Sequence, residues 1–205
     1  MLFRSLLQAV ARLDAGSARL TLEQAVERLR VLGYRDPEGA MRHVEALTTG
    51  VSRRASIQRT LLPVLLGWFA SSPLPDQGLL GFRRVSDALG ETPWYLRLLR
   101  DDSAVAERMA RILSLSRLST ELLLAAPEAV AQLEHLEDLQ PRSLEHLQSE
   151  FQLTAERHSD AASAVRVLRS LRRRELFRIT SADVLGLVDA VTVCRALSEI
   201  GRAHV

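Results

Sequence analysis

The run from Thr48 to Ala70, TTGVSRRASIQRTLLPVLLGWFA, is the strongest constraint on how this chain folds. Ile57, Leu61, Val64, Leu65 and Trp68 recur at helical spacing and set one apolar stripe along a helix. Arg53, Arg54 and Arg59 stand at its head, and Pro63 lies inside it. An interior proline removes one hydrogen bond and collides with the carbonyl four residues back, so a kink is expected between Arg59 and Pro63. No segment elsewhere alternates apolar and polar residues as a half-buried strand would. Leu and Ala carry the apolar content and only 9 residues are aromatic, which favours packed helices over sheets. The expected fold is all-α, an irregular bundle of roughly ten helices.

Stop and start signals divide the rest. Thr21 with Gln24 makes a capping box for a helix to about Leu32, stopped by Gly33. Asp36 followed by Pro37 opens a helix to about Thr48. SSPLPDQG, Ser71 to Gly78, reads as a loop and possible hinge, with Asp76 a candidate cap for a helix through Leu89 that Gly90 ends. Further helices are expected over Trp94–Arg100, Ser103–Leu113, Ser116–Ala125, Pro127–Leu139, Ser143–Arg157, Ser159–Ile179, Ser181–Val188 and Val191–Ser198. The organisation expected is a helical segment 6–70, a hinge 71–78 and a helical segment 79–198.

Both ends invite a different account. The tail Glu199-Ile200-Gly201-Arg202-Ala203-His204-Val205 can be encoded by a common sequencing-library adapter. The reverse complement of that adapter, read from a GTG start, gives Met1-Leu2-Phe3-Arg4-Ser5. Residues 1–5 and 199–205 are therefore expected to be adapter-derived, with the natural segment running from about Leu6 to Ser198. The plainer account makes Gly201 a helix C-cap.

All 27 basic residues are arginine, and the chain holds no Lys and no Asn. That bias fits GC-rich codon usage, and a net charge of +2 is far from a nucleic-acid footprint. Cys194 is the only cysteine, so no intrachain disulfide is possible, and it reads as a small core residue. No apolar run approaches a membrane span, and no signal-peptide core is present, so a cytoplasmic place is expected.

Chemistry-bearing residues are few. His43, His135, His146 and His158 are scattered without metal-ligand spacing. Asp101 and Asp102 diverge on a helix and serve better as caps for the helix at Ser103. There is no Asp-x-Asp pair and no Gly-rich phosphate loop. Arg166, Arg169 and Arg173 make a stripe, either a solvated or carboxylate-paired face or a docking face for an acidic partner or a neighbouring domain. Arg172 and Glu175 fall among Ala164, Val165, Leu168, Leu171 and Ile179 and stand three apart, which reads as a structural ion pair at a helix crossing.

Five stretches in order, DPEGAMRHVEALT, SRRASIQRTLLP, TPWYLRLLRD, AERMARILSLSR and LRRRELFRITSADVLGLV, resemble the bifunctional glutamine synthetase adenylyltransferase/adenylyl-removing enzyme family. The resemblance runs over most of Gly33 to Leu197 and matches the helical region between that family's two nucleotidyltransferase domains. It implies a parent enzyme in which one domain transfers AMP from ATP to a tyrosine of glutamine synthetase and the other removes it by phosphorolysis. Glutamine and PII-type signalling proteins shift the balance in such enzymes. The family's catalytic domains carry a Gly-rich turn, a Ser and an Asp-x-Asp pair that holds Mg²⁺, because two carboxylates on one strand face share a metal that neutralises the triphosphate. The implied role here is a connector without catalytic, cofactor or metal residues, with Mg²⁺ and ATP belonging to the parent. Its implied partners are glutamine synthetase, a PII-type protein and the flanking domains, not nucleic acid or membrane. A helical DNA-binding or protein-interaction module and a free-standing helical enzyme are the competing accounts.

Overall fold

A computed structural model describes residues 22–89, 92–158 and 160–203. Every regular element among them is helical: α1 (Leu22–Val31), α2 (Pro37–Thr48), α3 (Arg53–Ala70), α4 (Pro75–Leu89), α5 (Pro93–Asp101), α6 (Ser103–Leu115) and α7 (Arg117–Ala125) come first. Two 3-10 segments, Pro127–Leu133 and Leu136–Leu139, follow, then α8 (Leu144–Glu156), α9 (Ala161–Leu185) and α10 (Ala190–Ala203). The all-α expectation holds. Among the described residues no helix is long and apolar enough to cross a membrane.

Short polar side chains start these helices by accepting otherwise orphaned amide protons. Asp36 accepts from Gly39 at 2.9 Å, Asp102 from Ala104 at 2.8 Å, and Asp160 from Ser163 at 2.9 Å. Ser52 and Ser143 do the same for α3 and α8. Gly186, at a φ of 74°, ends α9 in the left-handed conformation that glycine adopts without strain.

Several expectations change. α4 begins at Pro75, inside the expected loop, because proline suits a first helical turn. Asp76 does not cap α4. Its carboxylate accepts from the amides of Arg35 and Asp36, at 2.8 and 3.1 Å, and ties the entry of α2 to the start of α4. The expected Pro127–Leu139 helix is two 3-10 pieces. α9 runs straight through Thr180, where two helices were expected, since Thr180 turns its hydroxyl back to the Leu176 carbonyl and stays helical. α10 extends beyond Ser198 to Ala203, with Ile200 buried and Gly201 inside the helix rather than capping it. Thr21, Gly90, Ser159, the start of the 6–70 segment, the adapter-like Met1–Ser5, and His204 and Val205 lie outside the described residues.

α3 is one continuous helix across Pro63, but its buried stripe is not the expected one. Ala55, Gln58, Leu62, Leu66 and Phe69 face inward together with Ile57 and Leu65, while Val64 is exposed and Leu61 and Trp68 are half-buried. α3 is apolar on more than one side, and four neighbours, α2, α4, α5 and α6, choose which side is covered.

The chain divides into two compact units between Thr120 and Glu121, not at Ser71–Gly78. In the first, α4 packs closely on α6, and Phe69 and Phe82 meet with ring centroids 6.2 Å apart. The Tyr34 hydroxyl donates to the Leu66 carbonyl at 3.1 Å. The Arg59 guanidinium donates to the carbonyls of Thr48 and Gly50, at 2.8 and 2.9 Å, closing the C-terminal end of α2. In the second, α8, α9 and α10 bury Leu147, Phe151, Leu171, Ile179, Ala196 and Ile200, with Leu168, Leu176, Val193 and Ala203 packed around them. Cys194 is exposed, contrary to its reading as a core residue, because the buried stripe of α10 runs through Val193, Ala196 and Ile200.

Candidate functional site

The chemistry-bearing residues singled out in the sequence gather on α9, which presents two unlike faces. On its inner side Glu175 is almost wholly buried. Its Oε2 accepts from Arg178 Nε at 3.0 Å, and its Oε1 lies 3.6 Å from Arg142 Nη1. Arg142, just ahead of α8, also pairs with Glu150 on α8. Arg174 Nη2 reaches the other Glu150 oxygen at 3.4 Å. Five charged side chains thus link the loop before α8, α8 itself and one side of α9. Burial holds the Arg178 guanidinium below its ordinary pKa, while Glu175 beside it pulls the other way.

Glu175 is therefore an ion-pair residue as expected, but its partner is not Arg172, which is exposed. Both arginines stand three residues from Glu175, so spacing alone cannot choose between them. Direction can: helical side chains lean toward the N-terminus, so Arg178 reaches back over Glu175 while Arg172 leans away from it. Arg178 was within reach of that argument. Arg142 and Glu150 were not, since nothing in the sequence brings them to α9.

On the outer side Arg166, Arg169, Arg172 and Arg173 are all exposed. Arg166 donates to Ser163 Oγ at 2.7 Å. Arg169, Arg172 and Arg173 form no ion pair among the described residues, so the solvated account of the stripe fits better than the carboxylate-paired one. From Ala161 to Arg174 the helix holds no Asp or Glu.

The remaining candidates are used up locally. Asp102 caps α6, whereas Asp101 pairs with Arg100. His43 Nδ1 lies 3.0 Å from Arg83 Nη1, and His135 and His146 are exposed. Among the described residues no three His, Cys, Asp or Glu side chains lie close enough to hold a metal ion. A shallow groove of about 440 Å³ between α8, α9 and α10 is walled by Gln148, Gln152 and Arg202 over Phe151, Leu168 and Ala203, an amide and apolar surface without an acid–base pair.

A family model for glutamate-ammonia ligase adenylyltransferase matches residues 106–205. The chain is 57% identical over 188 residues to the bifunctional glutamine synthetase adenylyltransferase/adenylyl-removing enzyme of Streptomyces coelicolor, covering 91% of this chain and 19% of that protein. It is 50% identical over 206 residues to the protein of that name from Leifsonia xyli subsp. xyli, covering 98% and 20%. It is 44% identical over 203 residues to that from Cutibacterium acnes, covering 99% and 20%. The chain thus spans about a fifth of the length of the curated relatives it matches. No solved structure matches it.

Proposed function

We propose that this chain, which belongs to the glutamate-ammonia ligase adenylyltransferase family, is a non-catalytic helical connector between two nucleotidyltransferase domains. The parent enzyme would add AMP from ATP to glutamine synthetase and remove it again, in the cytoplasm and under PII-type control. The observation that carries this reading is the network on α9: its buried charges are committed to one another, Glu175 to Arg178 and Arg142, and Glu150 to Arg142 and Arg174. Charges neutralised in this way hold helices in place and are not free to act on a substrate. The absence of an Asp-x-Asp pair from the sequence agrees with it. Mg²⁺ does not fit the residues described here, since the adjacent Asp101 and Asp102 are spent on an ion pair and a cap. On this reading metal and nucleotide chemistry belongs to the rest of the parent.

Two measurements test the reading. The purified chain, given glutamine synthetase, ATP and Mg²⁺, is expected to incorporate no labelled AMP, and incorporation above background would overturn it. In the longer protein that contains this segment, Glu175→Ala is expected to change the ratio of the adenylylating and adenylyl-removing activities. An unchanged ratio, with the segment demonstrably loosened, would remove the connector role even if the fragment proved inactive.

A further inference from the structure

The outer face of α9 has a charge pattern that the fold itself does not use. Arg166, Arg169 and Arg173 stand at i, i+3 and i+7, one stripe along the helix, with Arg172 beside it. All four are exposed, and no carboxylate interrupts the helix from its start to Arg174. An exposed arginine can face a carboxylate three or four residues away on its own helix, as Arg30 faces Glu27 on α1. On α9 the nearest acidic residue in sequence is Glu175, which is buried and already engaged by Arg178 and Arg142.

The surroundings narrow the partner. From Glu121 onward the chain has ten arginines against thirteen carboxylates, so this unit is net acidic while four of its arginines crowd two turns of one helix. Exposed acids lie on its other elements, at Glu134, Glu137, Asp138 and Glu145, and one, Glu128, reaches α9, where its carboxylate accepts from Ser170 Oγ at 3.2 Å. A nucleic acid carries charge continuously along its length and would meet those acids once it left the stripe. A compact acidic surface, about two helical turns long, would meet four arginines against the single carboxylate of Glu128 at Ser170. Guanidinium groups also match carboxylates in paired, planar geometry, so carboxylates at helical spacing are the natural counterpart.

We infer that the Arg166–Arg169–Arg173 face of α9 docks a carboxylate-rich polypeptide surface, a helix or strand presenting Asp and Glu, and not a nucleic acid. The inference stands apart from the connector reading, because its readout is binding and requires no adenylyl transfer.

The test uses the whole chain and two probes, poly-L-glutamate and a random-sequence DNA duplex, each titrated at low and at physiological salt. Poly-L-glutamate is expected to bind the chain, more weakly as salt rises. The triple charge reversal Arg166→Glu, Arg169→Glu, Arg173→Glu is expected to weaken that binding tenfold or more. A control reversal of three exposed arginines elsewhere, Arg35→Glu, Arg53→Glu and Arg111→Glu, is expected to change it less than threefold. If the triple glutamate variant loses helicity by circular dichroism, the triple glutamine variant, which adds no repulsion, is expected to show the same loss of binding. Equal binding by wild type and stripe variants, no binding of poly-L-glutamate, or tighter binding of the duplex through the same arginines would each overturn the assignment.

Discussion

Before Thr120 the buried polar side chains are neutral; some are satisfied by backbone or by one another, while the side chains of Gln58 and Ser119 are buried without a hydrogen-bond partner. The Tyr34 hydroxyl rests on the Leu66 carbonyl, and Ser86 and Tyr95 share a hydrogen bond at 3.0 Å. Burial pushes both phenols above their usual pKa, which keeps them uncharged. Beyond Glu121 the neutral Ser181 is buried too, but polar burial includes an ionic pair, with Glu175 and Arg178 both under a tenth exposed. Losing half of a neutral pair leaves an unsatisfied hydroxyl. Losing half of an ionic pair leaves a bare charge in a poor dielectric, which costs several times more. The units therefore differ in how each fails when one polar group is removed.

The largest expected effect breaks the ionic side of this comparison. Glu175→Ala strands Arg178, and urea denaturation should show a loss of about 3–5 kcal/mol. The double change Glu175→Leu with Arg178→Leu removes both charges and should cost much less. Tyr95→Phe, which spoils the neutral Ser86 pair, should cost about 1 kcal/mol. If Glu175→Ala proves no worse than Tyr95→Phe, the two units do not differ in the way described.

Backbone approach gives a second, smaller contrast. A Cβ added at Gly78 would lie 2.1 Å from Ser114 Oγ and 2.6 Å from Phe69 Cδ1, so α4 sits on α6 only because residue 78 has no side chain. Gly78→Ala should cost about 1–3 kcal/mol through forced repacking. A Cβ at Gly201 in α10 meets nothing within 4 Å, so Gly201→Ala should be neutral or stabilise by up to about 1 kcal/mol. Thermal melts of the two variants that shift in the same direction would contradict this packing.

What could be read from the sequence follows the range of the interactions. Helices α2 and α6 and their Asp caps rest on contacts within four residues, and Asp36–Pro37 and Asp102–Ser103 mark them openly. α3 was recognisable as a helix, but its buried face was not, because Gln58 at the centre of that face looks polar and Val64 on the outside looks apolar. α9 gave up Glu175 but hid its partners, since Arg142 is brought to it by the fold of α8. The exposed stripe of Arg166, Arg169 and Arg173 was visible in advance because it needs only one helix to define it.

A third contrast concerns acid. Arginine only donates, so its contact with His43 Nδ1 requires that nitrogen to be unprotonated. Burial first, then Arg83 and Arg42, hold the His43 pKa below the ordinary 6.5. Between that lowered pKa and 6.5 the unfolded chain binds more protons than the folded one, so stability rises with pH across that window and falls as pH drops through it. His43→Gln should flatten the dependence there while leaving stability at pH 8 little changed. An imidazole NMR titration of His43 with a midpoint at or above 6.5 would contradict the contact.

The smallest expected effect separates two arginines that spacing makes equivalent. Arg172 and Arg178 each stand three residues from Glu175, yet one is exposed and the other buried against the carboxylate. Arg172→Ala should change stability by no more than about 0.5 kcal/mol, the ordinary range for a surface position. The informative quantity is the coupling, read from double-mutant cycles against Glu175→Ala. Arg178 should couple strongly, because Glu175→Ala strands its buried charge and Arg178→Ala takes the hydrogen bond from the buried carboxylate and leaves it Arg142 alone at 3.6 Å, while the double variant leaves neither charge exposed to that loss. Arg172 should add independently, because its guanidinium keeps its water in both backgrounds. A coupling for Arg172 as large as that for Arg178 would mean that the N-terminal neighbour bends back onto the carboxylate in solution, and the directional argument for helical side chains would fail at this position.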